Sequence, residues 1–295
     1  MKKAVFIYNP RSGKAQIEGC LSHIINTFNR NDYKVLMFAT QYPKQAQELV
    51  EQEGADSDLL VCSGGDGTLN EVVNGLMDLE NPPILGYIPA GSTNDFASSL
   101  GLPKEMKECA EIAVTGTPFV CDIGRFNGRY FTYVAAFGAF TAVTYMTSQQ
   151  TKNVLGYQAY ILEGVKQLTS IKPIHMKVVY EDKEIEDDFL FGMVSNSTSI
   201  GGFKRLTGKD VDLQDGMFEV LLIRNPKQLS DLNSVVISLI AKCPEGELFY
   251  SFKTAKVKFF SKEPIGWVLD GEFGGEVTEA VVENKPSAIQ IMTRA

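Results

Sequence analysis

Up to Cys121, short apolar runs alternate with amphipathic stretches. Ala4 to Tyr8 (AVFIY), Lys34 to Ala39, Asp58 to Cys62 and Ile84 to Ile88 (ILGYI) read as strands. Continuous apolar runs such as AVFIY belong to strands covered on both faces. Helical spacing fills the intervals, at about Ala15–Asn29, Lys44–Gln52 and Leu69–Leu76, and again from Phe96. Strands that alternate with helices in this way build βαβ units and a largely parallel sheet. Beyond Cys121 the rhythm changes. Strand-like runs crowd together at Met176–Tyr180, Phe189–Ser195, Phe218–Ile223, Ala255–Phe260, Trp267–Leu269 and Ser287–Met292, and Glu181-Asp182-Lys183 reads as a turn. This is the texture of an antiparallel sandwich or open barrel. Helical patterns at about Gln158–Leu168 and Leu229–Lys242 interrupt it. The second carries Leu232, Val235, Val236, Leu239 and Ile240 in one apolar stripe, which reads as packing on a sheet because it lacks the basic flank of a membrane-surface helix.

The chain of 295 residues is long enough for two domains, each with its own core. Its net charge of −8 speaks against nucleic acid as a partner, and no polybasic cluster offers a charge-driven hold on anionic lipid. The N-terminal MKKAVFIYNPRSGK is cut at Asn9-Pro10-Arg11 too early for a secretory signal, so a cytoplasmic protein is expected. Tyr130–Thr151 has no charge, but its Thr, Ser, Gln and Tyr break the apolar block; buried strand and loop is the expectation there, not a span. Cys20, Cys62, Cys109, Cys121 and Cys243 are scattered without a CxxC pair, which reads as reduced thiols and no zinc. His23 and His175 lie near no catalytic pattern, so acid–base work should fall to carboxylates.

Three strand-to-helix junctions carry chemistry: NPRSGK (Asn9–Lys14), SGGDGTLNE (Ser63–Glu71) and AGSTNDF (Ala90–Phe96). In a parallel sheet they leave the same edge, at the carboxyl ends of the strands, where ligands bind. Glycine turns expose backbone N–H groups, and the following helix presents its positive end, so together they hold phosphate. Neither a P-loop nor a dinucleotide fingerprint is present. Asp66 amid phosphate-binding glycines implies Mg²⁺ between the carboxylate and the phosphates, directly or through water; a helix cap is the competing role. Asp66→Ala is therefore expected to abolish transfer with the fold intact. Further on, WVLDGE places Asp270 and Glu272 two residues apart. On an extended segment both would point to one side with Gly271 leaving room between them, whereas an Asp-Gly hairpin turn would not arrange them so. KDVDLQDG (Lys209–Gly216) is a third acidic loop, a cation site or a solvated turn.

GGDGTLNEVVNG (Gly64–Gly75) with PAGSTNDFA (Pro89–Ala97) closely resembles the catalytic domain of the diacylglycerol kinase family, in the form of the soluble bacterial lipid kinases that also resemble sphingosine and ceramide kinases. NPRSGK, KDVDLQDGMFEV (Lys209–Val220) and LDGE (Leu269–Glu272) follow in the family's order, so the resemblance spans essentially the whole chain. GGDGT alone is shared with NAD kinases, and a similar GGDGS with phosphofructokinases; the combination is far more specific. The resemblance implies an α/β fold: a parallel-sheet ATP-binding domain over residues 1–121, to which a last strand at about 288–295 returns, and a β-rich lipid-substrate domain over residues 122–287, with the active site in the cleft between them. It implies ATP held by Asn9, Thr40, Gly64, Gly65, Asp66, Gly67, Thr68, Leu69, Asn70, Glu71, Ser92 and Asn94. Asp270 or Glu272 would take the proton from a lipid hydroxyl, diacylglycerol being the leading substrate. A structural Mg²⁺ would sit on the middle loop through Asp215, with main-chain oxygens of Asp212 and Met217, linked to the cleft by ordered water.

Two departures stand out. Gln214 occupies the place of the first of two adjacent acids, and Lys209 and Val211 replace a proline and an alanine. The partners implied are ATP and a lipid alcohol at a membrane surface, with transient peripheral contact at its inner face; pairing with a second copy of the chain stays open. The uncharged Tyr130–Thr151 stretch could line an acyl groove or be plain core, and Ile200–Arg205 could meet a headgroup or be a surface loop. The alternatives are an NAD kinase, against which the GSTNDF and LDGE forms speak, and a catalytically silent nucleotide-binding regulator, against which intact Asp66, Asp270 and Glu272 speak.

Overall fold

β1 (Lys2–Tyr8) buries Ala4, Val5, Phe6 and Ile7 completely, as a strand does when both faces of its sheet are covered. It pairs in parallel with β2 (Tyr33–Ala39) on one side and β3 (Leu59–Gly64) on the other, and β3 pairs in parallel with β4 (Ile84–Pro89). This belongs to the first of two compact units in the computed structural model, formed by Met1–Ile123 with Pro286–Ala295; the second is Gly124–Lys285. The structure describes residues 1–13, 15–139, 172–200, 203–204, 211–241 and 244–294.

Helices α1 (Leu21–Arg30), α2 (Gln45–Glu53), α3 (Asp66–Met77), α4 (Asp95–Ser99) and α5 (Met106–Thr115) complete the first unit, before β5 (Thr117–Phe126) leaves it. The single helix expected from Ala15 starts instead as a 3-10 turn at Gln16–Cys20, behind Ala15 at φ 53°. Ile17, Ile24 and Phe28 from this stretch pack with Phe6, Val61, Ile88, Cys109 and Met292 in one core cluster. Met292 comes from the end of the chain: Ile291 pairs in parallel with Leu85 of β4. Cys62, Cys109 and Cys121 are buried free thiols, and burial raises Cys109 and Cys121 to about 12 each.

The second unit contains β6 (Arg129–Phe131), β7 (Val134–Gly138), β8 (Ile174–Tyr180), β9 (Lys183–Ser195), the short β10 (Ser199–Ile200) and β11 (Phe203–Lys204), and β12 (Phe218–Arg224). α6 (Leu229–Ala241), β13 (Phe249–Thr254), β14 (Lys256–Leu269) and β15 (Glu272–Thr293) follow, the last crossing into the first unit after Lys285. Within the unit β13, β12, β9, β7, β14 and β15 lie side by side, and every pairing among them is antiparallel. An antiparallel β-rich unit, the texture expected of a sandwich or open barrel, is what forms. Hydrogen bonds join the strands in one network, because β9 and β14 are long enough to pair with β7 over one stretch and β8 over another. Trp267 centres the core, with the rings of Phe126, Phe137 and Phe259 at 5.0, 4.9 and 5.1 Å.

The uncharged Tyr130–Thr151 stretch begins as β6 and β7; from residue 140 it lies outside the described residues, as does the helical pattern at 158–168. No helix among the described residues is long and apolar enough to cross a membrane.

Candidate active site

β1, β3 and β4 run parallel, so the loops that follow Tyr8, Gly64 and Pro89 leave one edge of the sheet. Hydrogen bonds tie them together. The Asn9 backbone N–H donates to the Ser63 carbonyl at 2.9 Å, and its Nδ2 to Thr68 Oγ1 at 3.3 Å. Its Oδ1 accepts Arg11 N at 2.9 Å, which closes the NPR turn. Gly65 N donates to Ser12 Oγ at 3.3 Å, and Ala90 N to the Gly64 carbonyl at 2.8 Å. The third loop lies backbone to backbone on the second. A Cβ on Gly91 would stand 2.6 Å from Gly65 Cα and 2.7 Å from Asn94 Oδ1, closer than atoms can pack. Asn94, at φ 53°, accepts Gly91 N at 3.0 Å and donates to the Gly91 carbonyl at 2.9 Å.

Beneath these loops α3 begins at Gly65 with no side-chain cap. The first N–H groups of a helix have no intrahelical acceptor, and with the helix dipole they favour an anion. Asp66 does not simply face outward from this end. Its carboxylate accepts Asp95 N at 3.2 Å and Phe96 N at 3.4 Å, and so caps α4. The competing role for Asp66, a cap, is therefore present, on a neighbouring helix and not its own. A carboxylate offers about four lone pairs, so these two N–H bonds alone do not fill it.

The other residues expected at the nucleotide divide by what they touch. Glu71 accepts Lys44 N at 2.8 Å and Ala46 N at 3.2 Å, fixing the start of α2. Thr40 N donates to the Tyr8 carbonyl at 2.9 Å at the end of β2. Leu69 is fully buried in the core, so only its backbone can meet a ligand. Asn70 accepts Asn74 Nδ2 through both its carbonyl and its Oδ1, at 2.9 and 3.1 Å. Ser92 is exposed, and Gly67 opens the first turn of α3.

In the second unit, Asp270 and Gly271 stand at φ 51° and 86°, and Leu269 pairs with Glu272. Positive φ at both central residues makes this a two-residue hairpin turn, not an extended segment. Of the two arrangements the spacing left open, the backbone takes the hairpin turn and not the one with both carboxylates on one side of Gly271. Asp270 is 4% exposed and turns inward, accepting Thr132 N at 2.6 Å, Thr132 Oγ1 at 2.8 Å, Tyr133 N at 3.0 Å and Val134 N at 3.1 Å. Burial raises its carboxyl above the ordinary value, and these hydrogen bonds pull the other way. Glu272 is exposed at the start of β15.

The middle loop is built around side-chain contacts of its own. Asp212 Oδ1 accepts Gln214 N at 3.0 Å, and Asp215 Oδ1 accepts Met217 N at 2.9 Å. Lys253 Nζ stands 3.1 Å from Asp215 Oδ2 and 3.1 Å from Glu219 Oε1. The Met217 carbonyl accepts Asn284 Nδ2 at 3.2 Å. Among the described residues no three His, Cys, Asp or Glu groups are gathered as metal ligands. Mg²⁺ asks for a near-octahedral shell of oxygens. The Asp215 carboxylate, which the resemblance gives to a cation, already carries the Lys253 ammonium.

A family model described as "Diacylglycerol kinase catalytic domain" matches residues 3–126. Over 277 residues the chain is 34% identical to the diacylglycerol kinase of Bacillus subtilis (strain 168), covering 93% of this chain and 91% of that one. The chain belongs to the diacylglycerol kinase family. It is likewise 30% identical over 286 residues to the diacylglycerol kinase of Staphylococcus carnosus (strain TM300), covering 94% and 90%. In fold it is similar to a crystal structure of a diacylglycerol kinase from Bacillus anthracis str. Sterne, with TM-score 0.78 at 20% identity, over 99% of this chain and 97% of that one. Within this diacylglycerol kinase fold, sequence reasoning passed over Ser12, Thr132 and Lys253. Ser12 stood inside the quoted NPRSGK, and its role needed only the proximity of the second loop. Lys253 was hidden because β13 was not read as a strand, although FYSFKT alternates as strands do.

Proposed function

We propose that the chain is an ATP- and Mg²⁺-dependent lipid kinase that transfers the γ-phosphate to a lipid hydroxyl, with diacylglycerol as acceptor. The observation that carries this reading is the uncapped start of α3 beneath three loops hydrogen-bonded to one another. Backbone N–H groups there would hold the triphosphate without a Cβ in the way. Asn9, Ser12 and Asn94 keep the loops in register before the nucleotide arrives, which is the positioning that phosphoryl transfer chiefly asks of a protein. Mg²⁺ would come with the nucleotide and offset charge on the transferring group, held near Asp66 through its water shell. Glu272 serves as the base that orients the lipid hydroxyl and takes its proton. Asp270 positions the LDGE turn, its oxygens being engaged by Thr132, Tyr133 and Val134.

The test is transfer of labelled γ-phosphate from ATP with Mg²⁺ to diacylglycerol, phosphatidylglycerol, sphingosine and ceramide in mixed micelles, with NAD as the soluble acceptor. Label on diacylglycerol above the other lipids is the expected result. Label on another lipid alone would move the substrate assignment. Label on NAD alone, or none with ATP bound, would overturn the lipid-kinase reading.

A further inference from the structure

Where the resemblance implies a cation on the middle loop, a lysine ammonium stands on the Asp215 carboxylate. We propose that the Lys253 ammonium replaces the structural divalent ion of the middle loop, so that this part of the enzyme needs no bound metal.

Three observations carry the inference. First, Lys253 is set there by strand pairing and not by a wandering side chain. β12 and β13 are antiparallel, and their register puts Glu219 directly opposite Lys253. Cross-strand partners lie about 4.5–5.5 Å apart at Cβ, so an ion pair between them follows from the ladder itself. Second, the ammonium touches the carboxylate on which a metal would depend. It stands 3.1 Å from Asp215 Oδ2 and 3.1 Å from Glu219 Oε1, and Glu219 is 6% exposed. The contact with Asp215 is a hydrogen bond from an ammonium, which brings three donors, and Glu219 is met as an ion pair. Third, the Asp212 and Asp215 carboxylates and the Met217 carbonyl each already accept a donor that shapes the loop. Asp215 Oδ1 holds Met217 N, Asp212 Oδ1 holds Gln214 N, and the Met217 carbonyl takes Asn284 Nδ2. Gln214 adds a neutral amide, not a charge, between Asp212 and Asp215. A lysine supplies one positive charge, its partial desolvation opposed by the Asp215 and Glu219 carboxylates.

It follows that the divalent ion required for transfer is the one that travels with the nucleotide. The test counts ions directly, without nucleotide or lipid, so its outcome is independent of whether the kinase reading holds. Mn²⁺ is titrated into the full chain as a paramagnetic probe, and bound ions are counted by electron spin resonance. Three proteins are compared: the unaltered chain, Asp215→Asn, and Lys253→Met. The unaltered chain and Asp215→Asn are expected to bind equal numbers of ions. Lys253→Met, its carboxylates now unopposed, is expected to gain one ion, which the double variant Asp215→Asn, Lys253→Met loses again. Circular dichroism melts of each variant, with and without 10-fold excess ion, confirm that folded proteins are compared. An unaltered chain that binds one ion more than Asp215→Asn overturns the proposal. So does a folded Lys253→Met that binds no more than the unaltered chain.

Discussion

Asp270 and Glu272 are neighbours in sequence with opposite fates. Both are carboxylates of one short motif, and the chain pattern alone left the base undecided between them. Geometry separates them: Asp270 lies inside the turn with four donors on its oxygens, while Glu272 is exposed on the strand that follows. Asp270→Ala strands three backbone N–H groups and a hydroxyl. Each buried donor left unmade costs about 1–3 kcal/mol, so four of them imply a loss of at least about 4 kcal/mol, read as a lower urea midpoint. Glu272→Gln should leave that midpoint within roughly 0.5 kcal/mol, as surface substitutions do, while turnover falls about 10²–10⁴-fold, the usual worth of a general base. A Glu272→Gln variant with ordinary turnover would remove it from the chemistry. The Asp-Gly turn was legible as a hairpin signal, but its inward partner was not. Thr132 lies 138 residues away and carries no motif.

Among the elements, the loops between strand and helix set what the first unit can do. Their glycines were legible from composition, and the reason for one of them is backbone contact. At Gly91 a methyl group would meet Gly65 Cα and Asn94 Oδ1 within 2.6 and 2.7 Å. Neither the Gly65 backbone nor the Asn94 ring of hydrogen bonds can give way without opening the loop. Gly91→Ala is therefore expected to cost about 1–3 kcal/mol through overpacking and to weaken binding of a non-hydrolysable ATP analogue by calorimetry. Gly19→Ala, where a methyl group meets nothing within 4 Å, is the control and should change neither. Helix α4 gives a second prediction. Asp66 holds its first N–H groups, so Asp66→Ala should not leave the fold untouched, as the motif alone suggested. A lost cap costs typically ~1 kcal/mol, visible as faster hydrogen exchange at Asp95 and Phe96. Unchanged exchange there would confine Asp66 to the nucleotide. Other elements escaped the sequence for local reasons. Phe126-Asn127-Gly128-Arg129 is an Asn-Gly hairpin with φ 44° and 98° at its centre, a strong short-range signal just before the stretch weighed for membrane crossing. α5 escaped because it begins at Met106 behind Glu105 with no side-chain cap to announce it.

At the scale of the whole chain, β15 has residues in both units, those to Lys285 in the second and those from Pro286 in the first. Alternation of strands and helices made the first unit readable, and crowded strand-like runs made the second readable as β-rich. The continuity of β15 was not readable, because Gly274, Gly275 and Pro286 punctuate it as if it were several pieces. Its last residues are structural members of the first unit. Ile289, Ile291 and Met292 are buried there, Ile291 pairs with Leu85 of β4, and Ser287 N donates to Asp122 Oδ1 at 2.8 Å. Ending the chain after Lys285 would withdraw three buried side chains, each worth about 1.5–3 kcal/mol on burial. The sum, roughly 5–9 kcal/mol, rivals the about 5–15 kcal/mol that holds a whole domain folded. It would also strip β4 of a neighbour and leave Asp122, wholly buried, without its Ser287 bond. The shortened chain is thus expected to lose its first unit, with rapid hydrogen exchange across β1, β3 and β4, while β9 and β14 of the second unit stay protected. Adding the missing ten-residue peptide in excess should restore part of the protection by mass action. Equal protection in the shortened and full chains would show that the first unit holds without its last strand, and that the strand's burial is worth far less than its apolar area predicts.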